Sequence, residues 1–303
     1  MAEVNFTQCA VAFLDILGFK DFIAAAEVTG SKEFEQFRQL QDVIDRQLTF
    51  TTDDPKREQH KFPEDVGLTT IHISDSFVLS APVNNENRPD YSGLVAVAIK
   101  TIQLAHQLLD MGFLLRGGIA VGSVYRTYNN IFGTGYQDAY ETESNVARTP
   151  RIVLHPSAVE QLEGGHHSGL RLGELAIFMR EGEQFILDTL YTHWSYVGDE
   201  RDCDLVKLFN GYKATMEHKL STLSVERARD KWKWMAKLFN AKLRDCRDLR
   251  AVLPIELVEY PAFAFGPVIE QPQTTFREAF GSFMAPTRYV SSFRGQGGIG
   301  DEP

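Results

Sequence analysis

Three residues of this chain join a chemistry-bearing side chain to a setting that restricts it: Asp15, Asp75 and Arg116. Asp15 ends the apolar run Cys9-Ala10-Val11-Ala12-Phe13-Leu14, which reads as a buried strand, and precedes Ile16-Leu17-Gly18-Phe19-Lys20. A carboxylate at a sheet edge, beside a glycine turn and a helix start, can hold a divalent cation, and the amides that follow can cradle phosphate oxygens. The same residue would serve as the cap of a helix running from residue 19. Asp75 lies in Ser74-Asp75-Ser76, a polar tip between two strand-like stretches, which is also ordinary turn chemistry. A central hairpin would bring it beside Asp15. Two carboxylates at one sheet edge repel unless a cation lies between them, and a two-metal site, with ions about 3.5–4 Å apart, needs such a pair. Arg116 stands inside the apolar stretch Phe113-Leu114-Leu115-Arg116-Gly117-Gly118-Ile119. A strand arginine is seldom buried without an anionic partner. A triphosphate would provide one through charge-assisted hydrogen bonds; an outward-facing arginine on the solvent side of the strand is the alternative.

The elements that must position these residues follow from periodicity. Phe34, Phe37, Leu40, Ile44 and Leu48 are spaced by three and four, which predicts an amphipathic helix over 31–48 with Ser31 as its N-cap. Residues 51–66, polar and holding Pro55 and Pro63, read as a loop. Residues 67–82 read as a hairpin, and 92–111 as a helix apolar nearly all round and ended by Gly112. A strand over 113–125 follows, then a helix at about 137–148 closed by Pro150, the short strand 151–154, a short helix opened by Pro156, and a hairpin about Glu181-Gly182. This order predicts an α+β fold, a mixed sheet with helices on one face, close to a ferredoxin-like plan. After about residue 195 the pattern changes to two helical stretches, 203–223 and 224–248, then an apolar segment 253–265 and a glycine-rich tail. The expected division is a catalytic domain over 1–195, a mainly helical extension over 196–294 that is regulatory or stabilises a dimer, and a flexible tail over 295–303.

Composition narrows the function classes. The chain has 303 residues, 43% hydrophobic and 24% charged, the ordinary globular mixture. Its formal net charge of −10 argues against binding nucleic acid or an anionic membrane surface. Cys9, Cys203 and Cys246 are far apart and form neither a metal-ligand pattern nor a disulfide framework, as expected in a reducing cytoplasm. No apolar run approaches a membrane span, the start lacks the basic region of a signal peptide, and no GxxxxGK[ST] phosphate loop occurs. His166-His167 reads as a solvated turn. Trp232, Trp234, Phe239 and Leu243 read as core or dimer contact, and the mixed charges over 226–231 as a solvated helix face.

Taken together, the motifs resemble a known family. Phe13-Leu14-Asp15-Ile16-Leu17-Gly18-Phe19 is similar to the F-x-D-I-x-G-F signature of class III nucleotide cyclases. Ile73-Ser74-Asp75-Ser76 resembles the hairpin that carries their second metal aspartate, with Ser74 where that family usually has glycine. Leu115-Arg116-Gly117-Gly118-Ile119-Ala120-Val121-Gly122 resembles their R-x-G-[IL]-x-x-G strand. The resemblance spans about residues 8–190. It implies two Mg²⁺ or Mn²⁺ per site, held by Asp15, Asp75 and the Ile16 carbonyl, with the Gly18 and Phe19 amides and Arg116 on the triphosphate. It also implies a homodimer with sites at its interface.

Two departures bear on substrate and mechanism. The family's transition-state asparagine and arginine sit on the helix after the Arg116 strand. One register places Asn145 and Ala147 on the pattern and leaves Arg148 and Arg151 as near substitutes for the arginine; another matches Asp138-Ala139 and puts Glu141 on the asparagine. Asn145 and Arg148 are the expected catalytic pair. The base-reading lysine of adenylyl cyclases is replaced by Ile71, which cannot donate to adenine N1. That pattern, with Ala139-Tyr140-x-x-Glu143, Ala147-Arg148-Thr149-Pro150-Arg151-Ile152 and Lys231-Trp232-Lys233-Trp234, resembles the pyrimidine cyclases of Pycsar antiphage systems. The resemblance implies UTP or CTP as substrate, UTP favoured, and a separate effector activated by the cyclic product. A purine cyclase and a catalytically inactive nucleotide-binding homologue are the alternatives.

Overall fold

The computed structural model describes residues 4–48, 67–86, 92–127, 130–164, 177–191 and 205–256. The loop 51–66, the His166-His167 turn, Cys203, most of segment 253–265 and the tail lie outside the described residues. The chain begins with β1 (Thr7–Leu17), α1 (Phe19–Ala26) and α2 (Lys32–Leu48). The hairpin β2 (Thr69–Ile73) and β3 (Ser76–Pro82) leads into α3 (Gly93–Asp110) and β4 (Leu114–Arg126). The two-residue β5 (Ile131–Phe132), α4 (Thr134–Asn145), β6 (Ile152–Leu154), α5 (Pro156–Gly164) and the hairpin β7 (Phe178–Glu181) and β8 (Gln184–Leu187) follow. Then come α6 (Leu205–Thr222) and α7 (Glu226–Asp245).

Sheet order is β2-β3-β1-β4-β6-β8-β7, with β5 paired to β4. Each neighbouring pair among the first four strands is antiparallel, in the β-α-β-β-α-β arrangement, and β4 pairs β6 in parallel, so the sheet is mixed and the α+β fold class stands. Local signals place the elements well. Ser31 Oγ accepts from the Phe34 amide at 3.0 Å as the N-cap of α2, and Ser92 does the same for α3.

Helices cover both faces of the sheet, not one. Adjacent strand residues face opposite ways. A Cβ on Gly118 would lie 2.3 Å from the Ala139 carbonyl of α4, whereas one on Gly117 would strike Leu14 on the other side. Cys9, Val11, Phe13, Val78, Ala120 and Val124 therefore pack with Ala139 under α4. Leu14, Ile16, Phe77 and Leu79 are buried on the opposite face. A β4-to-β6 parallel connection must cross over the sheet, and α4 is that crossover.

The boundary expected at 195/196 is not a break in packing. Phe209, Tyr212 and Met216 of α6, and Trp232, Met235 and Phe239 of α7, share one buried cluster with Val153, Met179 and Ile186 of the sheet. Residues Met1–Ile269 form one compact unit. Lys242 of α7 pairs with the buried Asp188, which also accepts from the Leu190 amide at 3.0 Å, and Asn240 exchanges two hydrogen bonds of 2.8 Å with the Ile255 backbone. Trp232 and Phe239 of α7 are thus core, and Trp234 packs against it partly buried. No helix among the described residues is long and apolar enough to cross a membrane.

Candidate functional site

Asp15 does not end its strand. The β1–β4 ladder continues through Ile16↔Leu115 and Leu17↔Leu114, so Asp15 sits inside β1, opposite Arg116 on one side and Ser76 on the other. Residues directly opposite in an antiparallel pair share a face. Asp15 and Arg116 therefore both project to the α4 face, beyond Phe13 and Gly118. The strand outlasts its apolar run because the leucines of β4 supply partners for two more residues.

The β2–β3 turn brings Asp75 to the same place. Its carbonyl accepts from the Ile16 amide at 2.8 Å, which ties the hairpin tip to β1. Ser74 holds φ at +58° to make the turn, in the left-handed region that favours glycine. The negative charge of Asp75 reaches both Asp15 and Glu143. Gly18, at φ +81°, turns the chain out of β1 and caps α1, and Phe19 opens that helix. An L side chain at residue 18 would be strained although no atom blocks the space.

Arg116 is not solvent-facing. Its Nε donates to Asp15 Oδ2 at 2.8 Å and lies 2.7 Å from Glu143 Oε1, forming an ion pair with both carboxylates. The anionic partner that its strand position demands thus comes from the protein. Burial pushes the Asp15 carboxyl up; Arg116 opposes this and Asp75 adds to it. Burial also raises Glu143, opposed by the Ser144 hydroxyl (2.9 Å from Oε2) and by Arg116. Two like-charged groups thus crowd a guanidinium, with a third carboxylate in reach.

A hard divalent cation fits this donor set. Among the described residues no three His, Cys, Asp or Glu side chains form a ready metal cage. Mg²⁺ characteristically takes one or two carboxylates, keeps several waters and fills the rest of its shell with substrate phosphates. Asp15 and Asp75 supply that pair of carboxylates, and their repulsion is what a cation would relieve.

On the other side of the hairpin lies a cleft of about 720 Å³ between α1, α2 and the turn, lined by Phe19, Ile23, Phe37, Ile44, His72 and Asp75. Ile71 faces away from it, half-buried against the Phe13–Val78 cluster on the Asp15 face. Asn145 and Arg148 lie exposed at the C-terminal end of α4, with no hydrogen bond to Asp15, Asp75 or Arg116. Arg151 is a clamp: Nη1 pairs with Glu181 at 2.5 Å and Nη2 donates to the Val146 carbonyl at 2.9 Å.

Two charged residues that the sequence reading gave no role act on the cluster. Glu143 lies one helical turn beyond the buried Ala139, and a carboxylate on that face of α4 needs a cation opposite, a signal that pointed to Arg116. Lys231, assigned with its neighbours to a solvated face, is half-buried, and its charge reaches Asp15 and Arg116. No pattern in the sequence could bring the charge of Lys231 within reach of Asp15.

No family model matches the chain, and no curated protein matches it. Among solved structures it is similar to the catalytic core of a rhodopsin-guanylyl cyclase with converted specificity in complex with ATPαS. That similarity has 14% identity and a TM-score of 0.35, covering 61% of this chain and 98% of that one. It is also similar to a class III adenylyl cyclase-like ATP-binding protein from Pseudomonas aeruginosa, with 9% identity and a TM-score of 0.32, covering 77% of this chain and 44% of that one. Likeness of chain path at this level does not specify function.

Proposed function

We propose that this chain is a metal-dependent class III nucleotide cyclase that converts UTP, or CTP, to the 3′,5′-cyclic monophosphate and pyrophosphate. It works in the cytoplasm as a homodimer, and its product activates a separate effector, as in Pycsar antiphage defence. The observation that carries the reading is the meeting of Asp15 and Asp75 where the hairpin tip is bonded to β1, one turn before the glycine start of α1.

The residues divide the work as follows. Asp15 and Asp75 would hold two divalent cations, with the Ile16 carbonyl as a further ligand. When bound, these supply charge neutralisation of the phosphates and activation of the attacking hydroxyl. The Gly18 and Phe19 amides at the start of α1 contact the β- and γ-phosphates, and Arg116 adds a fixed positive charge. The ribose 3′-oxygen attacks the α-phosphorus, the bond to the bridging oxygen of the β-phosphate breaks, and the hydroxyl proton is lost to solvent. Positioning and electrostatics are the chain's contribution to rate. Exposed Ile73 and Tyr140 flank Asp15 on its own face and suit a second protomer, whose Asn145 and Arg148 would complete the site. Ile71 offers only apolar surface, which favours a base that needs no donor there.

Incubating the protein with Mn²⁺ and each of the four nucleoside triphosphates tests this. Pyrophosphate and a cyclic monophosphate should appear from UTP or CTP. Product from ATP or GTP alone overturns the pyrimidine assignment. Nucleotide bound without product indicates the inactive homologue, a reading favoured by one observation: Arg116 already occupies an Asp15 oxygen.

A further inference from the structure

The end of α4 is held by side chains from elements distant in the chain. Val146 is its C-cap, and the amides of Val146 and Ala147 both bond the Thr142 carbonyl, at 3.0 and 3.1 Å. A helix that stops leaves its last carbonyls without intrahelical partners. The Val146 carbonyl accepts twice, from the Arg148 amide at 2.9 Å and from Arg151 Nη2 at 2.9 Å. Arg151 Nη1 donates to Glu181 Oε2 at 2.5 Å, and the other oxygen of Glu181 accepts from Trp234 Nε1 at 3.0 Å. The Arg151 carbonyl accepts from the Gly117 amide at 3.0 Å, next to Arg116.

One residue thus ties the α4 terminus, β4 and the β7–α7 contact together. A cation is favoured at a helix C-terminus, and a forked guanidinium can hold two acceptors at once, which an ammonium on one flexible stem does not reproduce. Both Nη atoms of Arg151 are engaged inside the fold, which gives it a task other than meeting substrate. What it holds is the stretch that bears exposed Asn145 and Arg148 on either side of half-buried Val146 and buried Ala147. Asn145 directly precedes Val146, and the Arg148 amide shares the Val146 carbonyl, so the course of the chain at both follows from where Val146 is fixed. Glu143, on the same last turn, lies 2.7 Å from Arg116 Nε.

We infer that Arg151 is a positioning residue: through Glu181 and Trp234, the α7 helix fixes the last turn of α4 and so sets how Asn145 and Arg148 are presented to a second protomer. The helical segment after residue 205 is then part of the catalytic assembly and not an appended module. This rests on the cyclase reading for what Asn145 and Arg148 do, but the hold on the α4 terminus does not depend on turnover.

The test compares wild type with Arg151→Met, Trp234→Phe, their double variant and the control Lys233→Met, which alters an exposed partner of Asp230 on the same helix. Hydrogen exchange is followed at the Val146, Ala147 and Arg148 amides, and kcat and KM are measured with the active nucleotide. Trp234→Phe keeps a ring against the core and removes only the N–H donor. Arg151→Met should speed exchange at these amides about tenfold and lower kcat about tenfold, with KM changed less than about twofold, and Trp234→Phe should act in the same direction by about threefold. The double variant should lose no more than Arg151→Met, because both act through one chain, and Lys233→Met should change nothing. Circular dichroism shows whether each variant is folded; Arg151→Lys, which reaches one acceptor but not both, replaces Arg151→Met in the cycle if that variant is not. Unchanged exchange in the folded variants, losses that multiply in the double variant, or a loss carried by KM overturn the inference. Absence of turnover in the wild type overturns the cyclase reading alone, because exchange at the α4 terminus still decides what Arg151 holds.

Discussion

Arg116 Nε and Asp15 Oδ2 are 2.8 Å apart across neighbouring strands, and the same nitrogen lies 2.7 Å from Glu143 on α4. A guanidinium between two carboxylates fixes the ends of β1, β4 and α4 relative to each other. It also sets the electrostatic poise of the site, because the carboxylates outnumber the cation. Arg116→Ala would leave Asp15 and Glu143 repelling each other. With the arginine side chain 30% exposed, the expected loss of stability is about 2–3 kcal/mol, below that of a fully buried pair. Chemical denaturation measures it, and Glu143→Gln in the same background should restore part of the loss.

Asp15 and Glu143 both hold their protons more tightly in the fold than in the unfolded chain. Their contribution favours folding below the unfolded carboxyl range near pH 4, and it is lost as pH rises through the folded values. Stability at pH 7.5 should therefore gain more from Mn²⁺ than stability at pH 5, read as a shift in Tm. Asp75→Asn should remove that difference.

Replacing Asp15 by Asn takes a desolvated charge out of the cluster. The variant should abolish turnover while melting no lower than the wild type without metal, the pattern of a site that sacrifices stability for function. Retained turnover, or a collapsed fold, would reject the assignment of Asp15 to the metal.

Ser74 makes the turn at φ +58° without the freedom of glycine. Ser74→Gly should stabilise the protein by about 0.5–1 kcal/mol, the left-handed penalty less the added entropy of the unfolded chain. Thermal melts of the two proteins decide this, with turnover unchanged because the Asp75 carbonyl remains bonded to Ile16.

His106 is buried between the Tyr212 hydroxyl (2.8 Å) and the Tyr191 carbonyl (3.1 Å), and burial lowers its pKa to about 4. A depressed folded value means stability is present above the unfolded value near 6.5 and is lost as pH falls towards 4. His106→Gln should flatten the pH dependence of stability across that window by on the order of 3 kcal/mol.

The sequence by itself determined the local elements and much of the cluster. Alternation and helical spacing located β1, the β2–β3 hairpin and α2, because those periods are imposed by which residues must be buried. Asp15, Asp75 and Arg116 were legible because each interrupts an apolar or turn pattern in a way that needs a reason. Tertiary structure alone decided what surrounds them. It continued β1 past Asp15 through pairing with Leu114 and Leu115, turned Arg116 onto two carboxylates, and brought Glu143 to the site from α4. Those contacts join residues more than 25 positions apart, some about 100. Such distances are bridged by burial of whole helix faces, which specifies that a face is covered but not by which partner.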